Sequence, residues 1–185
     1  MFGGNRPGGS DGLWTRWLPF FLSLAVIALD RVTKLYIRGH LGELDSIQVI
    51  PGLFRIVHTE NPGAAFGILA DSNPVVRAVV LVGISSAVLI FVVGALLKRG
   101  SGTSQWISRI ALGFILGGAV GNLYDRIFRG MVTDFLEIYN GGWSFPAFNV
   151  ADSAITIGAV FLLFELIWPQ RDRLAANVVH PPTEP

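Results

Sequence analysis

One stretch of this chain, Ala78 to Leu97, runs for 20 residues without a charged side chain. As an α-helix it would be about 30 Å long, which matches the hydrocarbon core of a bilayer. Only 15% of all residues are charged, against about 25% in soluble domains. The stretch therefore predicts a membrane-crossing helix, and the composition excludes a disordered chain and argues against a water-soluble globule.

Three further apolar runs approach the same length, and we expect an all-α membrane protein with four transmembrane helices. The uncharged part of the first run, Trp17 to Leu29, is taken as a helix rather than a cleaved signal peptide, because Asp30-Arg31 follows it where a small-residue cleavage site would stand. The expected domains are a flexible Gly-rich extension (1–16), a four-helix domain (17–168) and a tail (169–185). The three runs are Trp17 to Tyr36, Gln105 to Tyr124 and Asn149 to Trp168.

Two regions between the helices alternate apolar and polar residues, which is typical of half-buried strands. In the first, Ile47 to Ile50 and Leu53 to Thr59 flank a Pro-Gly turn. In the second, Met131 to Tyr139 precedes an Asn-Gly-Gly turn and Trp143 to Phe148. We expect a small extramembrane sheet, with the first hairpin inside residues 44–68.

Four spans place both termini on one side of the membrane and both strand regions on the other. Lys and Arg in the strict loops number six on the side of the termini and two opposite. By the positive-inside rule, the termini are expected in the cytoplasm. When the basic residues embedded near helix ends are counted as well, each side has seven. The predicted orientation therefore rests on the loop residues alone.

The inventory of reactive side chains is narrow. The chain has no Cys, and its three His residues are far apart in sequence, so no metal site and no cofactor is expected. A net charge of +1 gives no reason to expect nucleic acid. What remains for chemistry is mainly the 13 carboxylates.

Polar residues gather at the non-cytoplasmic ends of the predicted helices and in the adjacent loops. Carboxylates at a membrane interface are costly unless they are paired, hydrated or used, so such a cluster indicates a functional site. The residues are Asp30, Asn61, Asn122, Asp125, Asp134 and Asp152.

Each of these residues also has a structural interpretation. Asp30 and Lys34 have the i, i+4 spacing of a helical ion pair. Asn122, Asp125 and Arg126 share one end of the third helix, where they could brace its neighbours. Asp152 falls in a first helical turn and could be a cap.

Small residues allow two further interpretations. The segment from Asn61 through Gly63 to Phe66 is either an ordinary turn or a place where backbone approaches a ligand closely. Gly113, Gly117 and Gly121 recur every fourth residue, which predicts tight helix packing.

Asp134 and Asp152 could meet at one interface, and two carboxylates within roughly 3 to 5 Å tend to share one proton. The ionised partner can take a proton from a water that attacks an amide carbonyl. The protonated partner can polarise that carbonyl. The pair therefore suggests hydrolysis without a metal or a covalent intermediate.

Five blocks in order carry a resemblance to a known family. With them, residues 17–168 resemble the lipoprotein signal peptidases (signal peptidase II), which are bacterial inner-membrane aspartyl proteases. The blocks are Asp30 to Lys34, Asn61 to Phe66, Gly117 to Arg126, Val132 to Phe135 and Phe148 to Asp152.

The resemblance implies a catalytic dyad of Asp134 and Asp152. It implies removal of the signal peptide from a prolipoprotein just before a diacylglyceryl-modified Cys, by a monomer in contact with membrane lipids. It places region 44–68 in a cradle at the periplasmic face, and it implies that peptide antibiotics such as globomycin bind at the dyad. The residues implied to bind substrate or brace the site are Asp30, Lys34, Asn61, Gly63, Asn122, Asp125, Arg126 and Asn149.

Two other classes of function remain open. A small ion- or proton-coupled transporter also carries membrane carboxylates, although usually near the midplane and often with internal repeats. A passive scaffold would use the same polar residues only to hold helices together, so variants of Asp134 and Asp152 would lose stability and nothing else.

Overall fold

The computed structural model describes residues 11–63, 72–97 and 105–167. These residues form four helices and four strands, in the order that the sequence predicts. The elements are α1 (Asp11–His40), β1 (Ser46–Ile50), β2 (Phe54–Asn61), α2 (Pro74–Leu97), α3 (Gln105–Arg129), β3 (Val132–Asn140), β4 (Trp143–Ser144) and α4 (Val150–Ile167).

Three helices, α2, α3 and α4, are long and apolar enough to cross a membrane. The remaining helix, α1, which the sequence also predicts to span the membrane, is not among these three, since its second half carries Asp30, Arg31 and Lys34. The fold is thus mostly helical, with three candidate membrane spans and a small antiparallel sheet.

Two helices begin earlier than expected. α1 starts at Asp11, inside the segment 1–16 predicted to be a flexible extension. α2 starts at Pro74, where Asn73 Oδ1 accepts a 2.9 Å hydrogen bond from the amide of Val75 and caps the helix. The expected extension at 1–10 and tail at 169–185 lie outside the described residues.

α3 is the centre of the bundle, with α1, α2 and α4 packed against it. A Cβ at Gly113 would lie 2.7 Å from the Pro19 carbonyl oxygen, and one at Gly121 would lie 2.7 Å from Asp30 Oδ2. Gly117 meets α1 at a similar distance. The predicted tight packing along this glycine stripe is confirmed.

The strands form one antiparallel sheet in the order β1-β2-β3-β4. The Pro-Gly turn joins β1 to β2, with Gly52 at φ 76°. The second strand of this hairpin ends at Asn61, and residues 64–68 of the expected cradle region lie outside the described part. Because the sheet follows the last turns of α1 and α3 and precedes α4, it sits at one end of the bundle.

The expected strand from Trp143 to Phe148 is wrong in extent. β4 covers only Trp143–Ser144, since Pro146 has no N–H to donate to a ladder. The chain returns to β3 at Phe148, which pairs with Leu136 and brings the start of α4 beside β3.

Candidate active site

A cleft of about 1000 Å³ opens where the sheet meets the ends of α3 and α4. Asp134 and Asp152 both line it, together with Asn61, Asn122 and Arg126. The structure therefore brings the two predicted catalytic carboxylates and three of the predicted bracing residues to one cavity.

Asp152 is held by the cap of its own helix. Its Oδ2 accepts a hydrogen bond from the Asn149 amide nitrogen (3.2 Å), and Asn149 Oδ1 accepts one from the Asp152 amide nitrogen (3.0 Å). This reciprocal pair is a capping box that satisfies two helix N-terminal donors. The capping interpretation is confirmed, and the cap leaves Asp152 Oδ1 directed at Asn122 Nδ2, 2.7 Å away.

Asp134 lies on β3 and is only 3% exposed. Its Oδ1 accepts from Asn149 Nδ2 (2.6 Å), and its Oδ2 accepts from Asn61 Nδ2 (3.0 Å). Burial and then the charge of Asp152 raise the pKa of Asp134 from 3.8 to about 6, against the opposing effect of the two amide donors.

The orientations of the Asn61 and Asn149 side-chain amides follow from the hydrogen bonds that their Oδ1 atoms accept. Asn61 Oδ1 accepts from the Gly63 amide (2.9 Å). Asn149 Oδ1 is occupied by the Asp152 amide. In both residues the NH₂ group must therefore face the other way, toward Asp134.

Lys34 orients the side-chain amide of Asn122, the third Asn of the site. Its Nζ donates to Asn122 Oδ1 at 2.9 Å, so that Asn122 Nδ2 is directed at Asp152. Lys34 is fully buried and also lies 2.9 Å from both Asp30 Oδ2 and Asp125 Oδ2. The predicted i, i+4 ion pair is confirmed, and it is part of a larger buried cluster.

That cluster connects three helices. Asp30 Oδ1 accepts a 3.1 Å hydrogen bond from the Ala151 amide at the start of α4. Asp125 forms a second ion pair with Arg31 (2.6 Å), whose guanidinium also lies 4.2 Å from the ring centre of Tyr124. The cluster thus fixes α1, α3 and the capping box relative to one another.

Arg126 adds a positive charge to the wall of the cleft. It interacts electrostatically with Asp152 and Asp134, and its Nη1 lies 3.5 Å from the Asn122 carbonyl oxygen. Its buried Nε makes no hydrogen bond within the part of the chain that the structure describes. Across the described ranges, no three His, Asp or Glu side chains are grouped to hold a metal ion.

Sequence reasoning missed several polar residues beside this site. Arg31 immediately follows Asp30, and its partner Asp125 is distant in sequence. Glu60 and Thr133 precede Asn61 and Asp134, so strand alternation could have placed both on the opposite face of the sheet.

The fold and cleft define a multi-pass membrane protein with a carboxylate-lined site at one end of its helices. The family profile described as signal peptidase (SPase) II matches residues 22–168. The lipoprotein signal peptidase of Solibacter usitatus (strain Ellin6076) is 44% identical over 165 residues, covering 88% of this chain and 97% of that protein. That of Pseudomonas fluorescens (strain Pf0-1) is 44% identical over 168 residues, covering 89% and 92%.

Two solved structures, each described as a bacterial membrane enzyme determined by the in meso method, share the fold. One, at 1.9 Å resolution, is 32% identical, with a TM-score of 0.70 over 82% of this chain and 94% of that one. The other, at 2.3 Å, is 28% identical, with a TM-score of 0.69 over 91% and 93%.

The chain belongs to the signal peptidase II family, as its sequence motifs predicted. It is accordingly a membrane protease, and its family supports a role in removing signal peptides from prolipoproteins.

Proposed function

We propose that this chain is an aspartic endopeptidase that cleaves prolipoproteins just before a diacylglyceryl-modified Cys, with Asp134 and Asp152 as its catalytic dyad. The proposal rests on one observation above others: Asn149 hydrogen-bonds both carboxylates at the wall of the cleft. A single residue thereby couples the position of one aspartate to that of the other.

In the proposed chemistry, the aspartate with the higher proton affinity is the general acid and the other is the general base. Burial and the neighbouring charge raise the pKa of Asp134 to about 6, so Asp134 is the member that holds the shared proton. Asp152 accepts hydrogen bonds from the Asn122 amide and from a backbone N–H. Asp152 is therefore the proposed general base and Asp134 the general acid.

In the first step, Asp152 takes a proton from water while the water oxygen bonds to the amide carbonyl carbon. Asp134 gives its proton to the carbonyl oxygen, which forms a neutral tetrahedral intermediate. In the second step the C–N bond breaks, Asp152 protonates the leaving nitrogen, and the hydroxyl proton returns to Asp134. Both carboxyl groups end the cycle as they began.

The other predicted site residues have supporting roles in this proposal. Asn61 and Asn149 position Asp134, and Asn122 positions Asp152. Arg126, at the cleft wall, interacts with the peptide. The remaining residues brace the site: Asp30, Lys34, Gly63 and Asp125.

We infer four membrane spans rather than three, within a domain of residues 17–168. Two of the three charged residues that distinguish α1 from the other spans are shielded, since Asp30 and Lys34 are fully buried against α3 and α4; the third, Arg31, is partly exposed and paired with Asp125. Charges covered by protein are compatible with a helix in lipid. The proposed location is the bacterial inner membrane, with cytoplasmic termini and the dyad at the periplasmic face.

In this arrangement the sheet is the periplasmic cradle for the peptide, and the acyl chains of the substrate rest in lipid beside the bundle. The cleft walls are largely apolar, with Ile138, Phe148 and Ile157 among the lining residues. We propose a monomer without cofactor, inhibited by globomycin-type peptides bound across the dyad.

The test is cleavage of a purified lipidated prolipoprotein by the Asp134→Asn and Asp152→Asn variants. Asp45→Asn is the matched control, because it makes the same chemical change at an exposed loop residue. We expect both dyad variants to be inactive and the control to be fully active. Wild-type activity in either dyad variant would overturn the assignment.

The same variants separate catalysis from a scaffold role. A scaffold predicts that the dyad variants unfold at lower temperature, whereas a dyad predicts well-folded but inactive protein. Proton-dependent flux through liposomes that contain the wild-type chain would instead favour the transporter.

A further inference from the structure

A second set of polar residues lies behind the strand that carries Asp134. The rear cluster consists of His58, Glu60, Arg129, Thr133 and Arg38. Its members come from β2, β3 and the ends of α1 and α3, so they join the sheet to two helices. Their hydrogen bonds converge on the hydroxyl of Thr133, which directly precedes Asp134 on β3 and by strand alternation points to the opposite face.

The register of β2 against β3 explains the placement. Ile56 pairs with Leu136 and Thr59 with Asp134, so β2 advances three residues while β3 advances two. This irregularity separates the last three pairs from the rest of the ladder. Within them, Asp134 points to the cleft, and its neighbour Thr133, paired with Glu60, points to the opposite face.

Thr133 is the hub of the rear cluster and is fully buried. Its hydroxyl accepts hydrogen bonds from Arg129 Nη1 (2.8 Å) and Arg38 Nη1 (2.9 Å). The same hydroxyl donates to Glu60 Oε1 (3.1 Å). One side-chain oxygen therefore ties β3 to both helices and to β2.

Glu60 neutralises part of this positive charge. Its Oε1 lies 2.9 Å from Arg129 Nη2 and 3.2 Å from His58 Nε2. Burial opposes its ionisation, but hydrogen bonds from Arg129, His58 and Thr133 prevail and hold the pKa of Glu60 below its ordinary value of 4.5. Arg38 also faces Asp125, at 4.0 Å, which connects the rear cluster to the buried cluster around Lys34.

We propose that Thr133, Glu60 and Arg129 are positioning residues for the cleavage reaction: they hold the Asp134 segment of β3 in register so that its carboxyl group meets Asp152. The proposal rests on the proposed dyad. A short, irregularly paired ladder has few backbone constraints of its own, and a misplacement of about 1 Å can cost about 100-fold in rate. Glu60 also lines the cleft, whereas Thr133 and Arg129 are not among its lining residues, so the missing constraint comes mainly from the back of the strand.

Thr133→Val tests this directly, since Val has nearly the same shape and suits a strand but lacks the hydroxyl. Thr133→Ser is its matched partner, because it keeps the hydroxyl. For folded protein acting on a lipidated prolipoprotein, we expect Thr133→Val to lower kcat by about 10- to 100-fold and to leave KM within about threefold. Thr133→Ser should restore kcat to within about threefold of wild type.

The pH profile adds a readout that a merely structural role would not move. If the Asp134 segment loosens, water reaches its carboxyl group and ionisation becomes easier. The alkaline limb of the rate profile should then shift to lower pH in Thr133→Val and remain in place in Thr133→Ser. Wild-type kcat and an unshifted limb in folded Thr133→Val would overturn the proposal.

Glu60→Gln keeps the proposal testable if Thr133→Val does not fold. It retains one acceptor for Arg129 and removes the charge, so kcat per molecule of folded protein should fall, and an unchanged kcat contradicts the proposal. Asp134→Asn is assayed in parallel. If Asp134→Asn is active, the dyad itself fails; if it is inactive while both rear-cluster variants have wild-type kcat, only the positioning role fails.

Discussion

Replacing Asp134 by Asn removes a carboxyl group that folding makes harder to ionise. The pKa of this group is 3.8 in the unfolded chain and about 6 in the folded protein. Below pH 3.8 the group is protonated in both states and costs nothing. As the pH rises to about 6, the unfolded chain loses the proton first, so the free energy of unfolding of the wild type falls.

The size of the effect follows from the shift. A difference of roughly 2 units corresponds to about 3 kcal/mol that the wild type loses between these two pH values. The Asp134→Asn variant avoids this loss but turns an NH₂ group toward the amide of Asn61 or Asn149, which costs about 1 kcal/mol at every pH. The variant should therefore be about 2 kcal/mol more stable than wild type at pH 7.5 and about 0.5 kcal/mol less stable near pH 4.

Thermal unfolding in detergent between pH 4 and 7.5 measures this crossover. For a chain of this size, 2 kcal/mol corresponds to a rise in Tm of about 4–8 °C. Asp45→Asn makes the same change at an exposed residue, where an Asn oxygen can still accept the hydrogen bond from the Gly42 amide, and is the control for the substitution itself. A Tm difference between Asp134→Asn and wild type that is independent of pH would refute the reasoning, even if cleavage were lost.

Three further predictions concern the buried cluster, helix packing and acid–base chemistry. Lys34→Met leaves Asp30 and Asp125 with less compensation and should lower the free energy of unfolding by about 3–5 kcal/mol; an unchanged Tm would contradict this. Gly118→Ala should reduce the yield of folded protein, because its Cβ would overlap the Ala151 carbonyl oxygen, whereas Gly94→Ala meets nothing within 4 Å and should be neutral; equal yields would count against the packing. For wild type, kcat/KM should fall as the pH rises above about 6, because the dyad loses the proton on its acid, and a flat profile up to about pH 9 would exclude this assignment.

Local features of the site were predictable from the sequence. The alternation around Asp134 indicates a strand, and an Asn three residues before Asp152 is typical of a helix start. The glycine stripe of α3 likewise predicts close packing, which the contacts with Pro19 confirm. The strand and the cap each depend on residues that are close together in the sequence, and the helix packing depends on glycines at a regular spacing.

Contacts between distant segments were not predictable. The spacing of Lys34 from Asp30 reveals their ion pair, but nothing in it reveals the contact with Asn122, 88 residues away. The irregular register of β2 was also invisible, because Thr59, Glu60 and Asn61 beyond it are all polar and show no alternation that would fix the register. These features depend on how the helices and sheet come together rather than on local preference.

Single-turnover cleavage of a lipidated prolipoprotein by Asp134→Asn, Asp152→Asn and the double variant tests the central claim most directly. If the two aspartates act as one unit, each single variant loses at least about 1000-fold in rate. The double variant should then be no slower than the slower single variant. A wild-type rate in either single variant, or losses that multiply in the double variant, would contradict a shared catalytic dyad.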